Sequence, residues 1–242
     1  MEIHIVNNYQ ELSKKAANIV AEEIDQKSRV VLGLATGSTP EGMYAQLVKR
    51  YRDNKLDFDQ VVTFNLDEYA GLSPDHPQSY YYYMRCNLFD HVNIKPDNIF
   101  VPSCFNNKDA GVVCGEYDRK IDQSGGIDLQ VLGIGVNGHI GFNEPGQHLQ
   151  TQTHLVDLVE ETIEANSRFF DSIDQVPRQA VTMGVGSIMH SEKIMLMANG
   201  KNKARAIQES FSGLVSTRVP ASLLQLHRNF ILLIDKEAAS LF

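Results

Sequence analysis

The chain has 242 residues and a formal charge of −8, with 43% hydrophobic and 21% charged residues. That length suits one domain with a substantial core, and the acidic balance excludes a general nucleic-acid surface, which needs a basic patch to displace counterions. No stretch approaches the ~20 apolar residues of a membrane span. The opening Met-Glu-Ile-His-Ile lacks the basic-then-apolar pattern of a signal peptide, so a cytoplasmic protein is expected.

Strand, loop and helix alternate along the chain. A short strand at Glu2–Val6 precedes Asn8-Tyr-Gln-Glu11, whose N-x-x-E spacing predicts a capping box opening a helix. Arg29–Ala35 is a continuous apolar run of the kind found in buried parallel strands. Thr36-Gly-Ser-Thr39 follows, and Pro40 suits the first position of a helix reaching Arg52. A strand at Val61–Leu66 runs into Asp67-Glu-Tyr69. An aromatic helix is expected at Ser79–Phe89, a short strand at Ile99–Val101, a helix at Lys108–Ser124 and a strand at Ile127–Gly133. Later strands are expected at Ala180–Met183, Lys193–Ala198 and Phe230–Ile234, with a helix at Asn202–Phe211. Repeated β-α units imply a single α/β domain over residues 1–242, Rossmann-like, with an open, mostly parallel sheet and helices on both faces.

In such folds chemistry gathers where loops leave the carboxyl ends of strands. Three polar clusters lie at such places. Thr36, Gly37, Ser38 and Thr39 offer hydroxyls, close backbone approach and free helix N–H groups, which together can hold a phosphate monoester. The Gly-Lys-Ser/Thr ending of a Walker loop is missing, and Thr39 as a plain helix cap with Gly37 as a turn residue explains the same letters. Asp67 at a strand end is a candidate general base, or equally a loop acid or cap.

The third cluster, Gly133-Ile-Gly-Val-Asn-Gly138, matches a dinucleotide-binding fingerprint in letters only. Two more glycines and Pro145 follow where the fingerprint requires a helix, so a nucleotide cofactor is rejected. Read as a loop, it gathers Asn137, His139, Asn143 and Glu144. A carboxylate can orient an imidazole and raise its basicity, although a histidine that ties a turn together fits as well. His76, His91, His148, His154 and His190 lack metal-ligand spacing, and with His4 and His227 they are expected on the surface or in loops. Cys86, Cys104 and Cys114 form no C-x-x-C pair and read as reduced, buried or half-buried thiols. The Tyr80–Tyr83 run, with no basic surroundings, reads as a packed helix.

Together these segments resemble the glucosamine-6-phosphate deaminase (isomerase) family. The matching pieces are Leu32–Tyr44, Val61–Leu72, His76–Met84, Leu132–Gly146, Ala165–Phe170, Val176–Ile188 and Leu224–His227, in order along essentially the whole chain. Related phosphogluconolactonases share the fold but usually end the histidine loop in Ser-Leu-Phe-Pro, where this chain has Gly-Phe-Asn-Glu-Pro. A sugar-phosphate sensor of a transcription regulator is the other alternative, and it would need a basic recognition module that this acidic chain lacks.

The resemblance implies an aldose-ketose isomerising deaminase that converts glucosamine 6-phosphate and water to fructose 6-phosphate and ammonia, without metal or cofactor. His139 then matches the ring-opening acid/base, supported by Glu144 and Asn137, and Asp67 the base that takes the C2 proton. Arg168 and Lys203 match the cations that join Thr36–Thr39 around the phosphate. Many relatives carry aspartate at the Asn137 position; an amide can orient His139 but cannot stabilise an imidazolium by charge. Longer relatives bind an N-acetylated sugar phosphate through basic residues after the Asn-Glu-Pro loop. Gln147–Asp157 contains no Lys or Arg, so a short non-allosteric enzyme, monomer or small homo-oligomer, is expected, with no nucleic-acid or membrane partner.

Overall fold

The structure is a computed structural model that describes residues 1–105, 109–160, 163–164, 170 and 172–242. The first β-α pair is β1 (Glu2–Val6) and α1 (Tyr9–Gln26). Asn8 caps α1 by accepting from the Glu11 amide at 3.0 Å, while the Glu11 carboxylate accepts from the Asn7 amide, one residue earlier than a standard box. Next come β2 (Val30–Leu34), α2 (Ser38–Arg52), β3 (Val61–Asn65), β4 (Asp67–Tyr69), α3 (Tyr80–Asn87) and β5 (Ile99–Phe100). The chain continues with α4 (Ala110–Gln123), β6 (Leu129–Leu132), β7 (His154–Asp157), β8 (Gln179–Thr182) and α5 (Val185–Met189). It closes with β9 (Lys193–Ala198), α6 (Ala204–Ser210) and β10 (Phe230–Asp235).

Among the described residues seven strands form one parallel sheet in the order β1-β10-β9-β6-β2-β3-β5. Successive side chains point to opposite faces, and both faces are apolar, as a doubly covered parallel sheet requires. Leu32, Leu34, Val131, Met195 and Leu233 pack against α1, α2 and α3 through Leu12, Val20, Met43, Leu47 and Met84. Val31, Phe64, Leu132, Leu196 and Leu232 pack on the other face against Tyr117 and Ile121 of α4, Ile188 of α5 and Ile207 of α6.

The expected strand at Ala180–Met183 exists as Gln179–Thr182, but it stands outside this sheet. It is the centre of a second, antiparallel sheet ordered β4-β8-β7. Its outer strands were not expected from the sequence. β4 has three residues and follows β3 with only Leu66 between them, so no turn signal separates the two. β7 holds only the apolar pair Leu155-Val156 between His154 and Asp157, too short a run to mark a strand. A small aromatic core of Tyr69, Leu72, Phe142, Leu158 and Val176 fixes this sheet beside the main one.

The strand order reverses at β2. From there the chain builds outward through β3 and β5, then returns to place β6 on the other side of β2. The loops leaving β2 and β6 therefore diverge from adjacent strands, which opens the crevice where α/β sheets bind ligands. Those loops carry Thr36–Thr39 and Gly133–Gly146.

Candidate active site

Asp67 opens β4 and pairs with Thr182 of β8. Its side chain is buried, and burial, helped by the neighbouring Glu68 charge, pushes its carboxyl up to about 8. Glu68 points the other way along the strand. Its Oε1 accepts from the amides of Tyr69 and Tyr80 at 2.9 Å each, and Oε2 accepts from Tyr81 at 3.0 Å. A carboxylate thus sits on the N-terminus of α3, where unpaired N–H groups favour negative charge. Burial is still the larger influence and raises its pKa.

The histidine loop is sewn to the same strand pair. The Phe142 amide donates to Thr182 Oγ1 at 3.1 Å, and Asn143 Nδ2 donates to the carbonyls of Ile140 and Met183 at 2.9 Å. The Met183 amide in turn donates to the Leu66 carbonyl at 2.7 Å. At Gly141 the backbone comes so close that an added Cβ would stand 3.0 Å from Thr182 Oγ1 and 3.5 Å from Asp67 Oδ2. The histidine loop and the carboxylate strand therefore meet at Gly141, two residues from His139.

Within the loop, Asn137 Nδ2 donates to Glu144 Oε2 at 2.7 Å, and Asn137 Oδ1 accepts from the His139 amide at 3.2 Å. His139 Nδ1 lies 3.1 Å from Glu144 Oε1, near enough for an ion pair, although it is not aligned for a hydrogen bond. The amide of Asn137 thus ties the loop backbone to the carboxylate beside the imidazole. The expected grouping of Asn137, His139 and Glu144 is present.

The loop after β2 is an open turn at a helix start. Helix α2 begins at Ser38, and Gly37 precedes it with φ 93°, a left-handed conformation that favours glycine. Thr39 is inside the helix and does not cap it. Its Oγ1 donates to Asn199 Oδ1 at 3.0 Å, and Pro40 is the third helical residue, not the first. Tyr83 and Tyr9 brace the turn, donating to the Gly37 carbonyl at 2.7 Å and the Ser38 carbonyl at 2.9 Å. Thr36 is half-buried, while Gly37 and Ser38 are exposed.

Lys203 ends a turn after β9, and its Nζ donates to the Ile134 carbonyl at 2.7 Å, with burial lowering its pKa. Asn199 and Lys203 leave the same strand end, so one short segment reaches both the Thr36–Thr39 turn and the histidine loop. Arg168 lies outside the described residues. Two surface hollows, beside Tyr51 and Asn93 and beside Asp128 and Arg228, are lined by none of these residues and lie toward the amino-terminal ends of the strands.

Several contributors carried no readable signal in the sequence. Thr182 is one polar residue in an apolar run, and Asn199 is one of many loop amides. His227 was expected among surface or loop histidines; it is in a loop but buried, with Nε2 2.9 Å from the Ser191 carbonyl.

The family model for glucosamine-6-phosphate isomerases/6-phosphogluconolactonase matches residues 7–232. The chain belongs to this family. Within the glucosamine-6-phosphate isomerase/6-phosphogluconolactonase family it is 58% identical to a glucosamine-6-phosphate deaminase of Halothermothrix orenii (strain H 168 / OCM 544 / DSM 9562), with all of both chains covered. It is 56% identical to one of Thermoanaerobacter sp. (strain X514), covering 100% of this chain and 95% of the relative. A solved monomeric glucosamine-6-phosphate deaminase superposes with TM-score 0.96 at 48% identity, covering both chains fully. A 6-phosphogluconolactonase from Thermotoga maritima matches with TM-score 0.74 at 19% identity over 97% of this chain and 99% of that one, a likeness of fold alone. Among the described residues no helix is long and apolar enough to cross a membrane.

Proposed function

We propose that this chain converts glucosamine 6-phosphate and water to fructose 6-phosphate and ammonia, in the cytoplasm, with its own side chains as the acid and base groups. The observation that carries the reading is the meeting, at Gly141, of a buried carboxyl held near 8 with the loop of Asn137, His139 and Glu144. A carboxyl with that affinity for protons is matched to taking a proton from carbon and returning it near neutral pH.

The phosphate is held by the turn amides and hydroxyls of Thr36, Gly37, Ser38 and Thr39, with Lys203 and Arg168 as cations. Anchoring one end of the sugar leaves the other against Asp67 and His139, which removes much of the entropic cost of alignment. His139, oriented by Glu144, takes the proton of the C1 hydroxyl and delivers one to the ring oxygen, opening the pyranose. Asp67 as carboxylate takes the C2 proton, the electron pair forms the C1–C2 double bond, and the aldehyde oxygen takes a proton from the substrate's own C2 ammonium, giving the neutral enolamine. The same carboxyl returns that proton to C1, leaving an iminium at C2. Water adds at C2, and the C–N bond breaks to release ammonia and the ketose.

The test is a coupled assay on glucosamine 6-phosphate that follows ammonia and fructose 6-phosphate together, with a chelator present. Equal amounts of both products support the reading. Turnover of 6-phosphogluconolactone without either product overturns it.

A further inference from the structure

The glycines of Gly133-Ile-Gly135-Val-Asn-Gly138 invite a cofactor reading from sequence and have no part in the chemistry above. Their surroundings give one of them a task. Gly135 is buried, its amide donates to the His139 carbonyl at 2.9 Å, and its carbonyl accepts from the Gly138 amide at 3.1 Å. Residues 135–139 thus close a tight turn that folds the histidine back over its own start. Gly138 turns with φ 83°, and its carbonyl accepts from the Ala221 amide at 2.9 Å, which pins the far side of the turn.

The imidazole occupies the space a side chain at 135 would need. An added Cβ there would stand 2.3 Å from His139 Cε1, 2.4 Å from Nδ1 and 2.5 Å from Nε2. Carbon and nitrogen do not approach so closely without bonding, so the ring would have to move by about an ångström to reach ordinary contact distance. A shift of that size changes its 3.1 Å approach to Glu144 Oε1. Gly133 is different, since an added Cβ meets nothing within 4 Å.

We propose that Gly135 is a positioning residue whose missing side chain forms the seat of the His139 ring, fixing the imidazole beside Glu144. The proposal rests on the reading of His139 as the ring-opening group. Phosphate binding, carried by other loops, is independent of this seat.

The test compares Gly135→Ala, Gly133→Ala, His139→Ala and the double variant Gly135→Ala/His139→Ala for kcat, KM and Tm. A displacement of about an ångström at a catalytic group costs about 100-fold in rate, so Gly135→Ala is expected to lose about that much kcat with KM held within about threefold. Gly133→Ala keeps wild-type kcat. In the His139→Ala background, adding Gly135→Ala changes kcat by less than about twofold, because the ring it displaces is gone. Should Gly135→Ala unfold, the double variant regains the Tm of His139→Ala, since the three atoms nearest the added Cβ all belong to the ring that is gone. Wild-type kcat in Gly135→Ala, an equal further loss in the His139→Ala background, or no regain of Tm overturns the seat. Full turnover in His139→Ala overturns the mechanistic reading instead, and the Tm comparison still judges the seat.

Discussion

Replacing Asp67 by Asn separates the chemistry of this carboxyl from the cost of burying it. An ordinary aspartate releases its proton near 4, and in the fold Asp67 does so near 8. A raised carboxyl pKa means that the folded state binds the proton more tightly than the unfolded one. Its stability is therefore full below about pH 4, declines as pH rises from 4 to 8, and is constant above 8. Integrated to pH 7 the cost of ionisable Asp67 reaches about 4 kcal/mol as a ceiling, and asparagine does not incur it. Even half of that shifts Tm by about 4–8 °C in a protein of this size. Thermal unfolding of both proteins at pH 5, 6, 7 and 8 should show the variant increasingly more stable than the wild type as pH rises. Its kcat should fall by about 100-fold to 10000-fold, the usual contribution of a positioned general base. A stability gap that stays flat with pH would refute the desolvation argument, and near-normal turnover would remove Asp67 from the reaction.

Glu68→Gln turns an amide donor toward backbone donors and should cost about 1–3 kcal/mol in denaturant unfolding. The same change removes the negative neighbour of Asp67, so the acid limb of kcat/KM should move to lower pH; an unmoved limb separates the two carboxyls. Lys203→Met should raise KM by about 10- to 100-fold, the loss of one charge-assisted bond to phosphate, with a much smaller effect on kcat. N-acetylglucosamine 6-phosphate should leave the half-saturating substrate concentration unchanged, because Gln147–Asp157 contains no Lys or Arg to hold it; a clear decrease would disprove this.

Local letters determined much of this protein. The apolar runs expected as strands at Arg29–Ala35, Val61–Leu66 and Phe230–Ile234 are strands at Val30–Leu34, Val61–Asn65 and Phe230–Asp235, and the cap at Asn8 marked its helix, because burial pattern and capping act within a few residues. The grouping of Asn137, His139 and Glu144 was equally legible, since eight consecutive residues hold it. The tertiary structure alone decided what lies between distant segments. It removed β8 from the main sheet, paired Asp67 with Thr182, set Glu68 on the amides of Tyr80 and Tyr81, and joined Thr39 to Asn199. It also set Gly135, one glycine of an apparent nucleotide fingerprint, against the His139 imidazole. Such contacts depend on how strands order themselves and how closely backbones approach, and spacing along a single chain encodes neither.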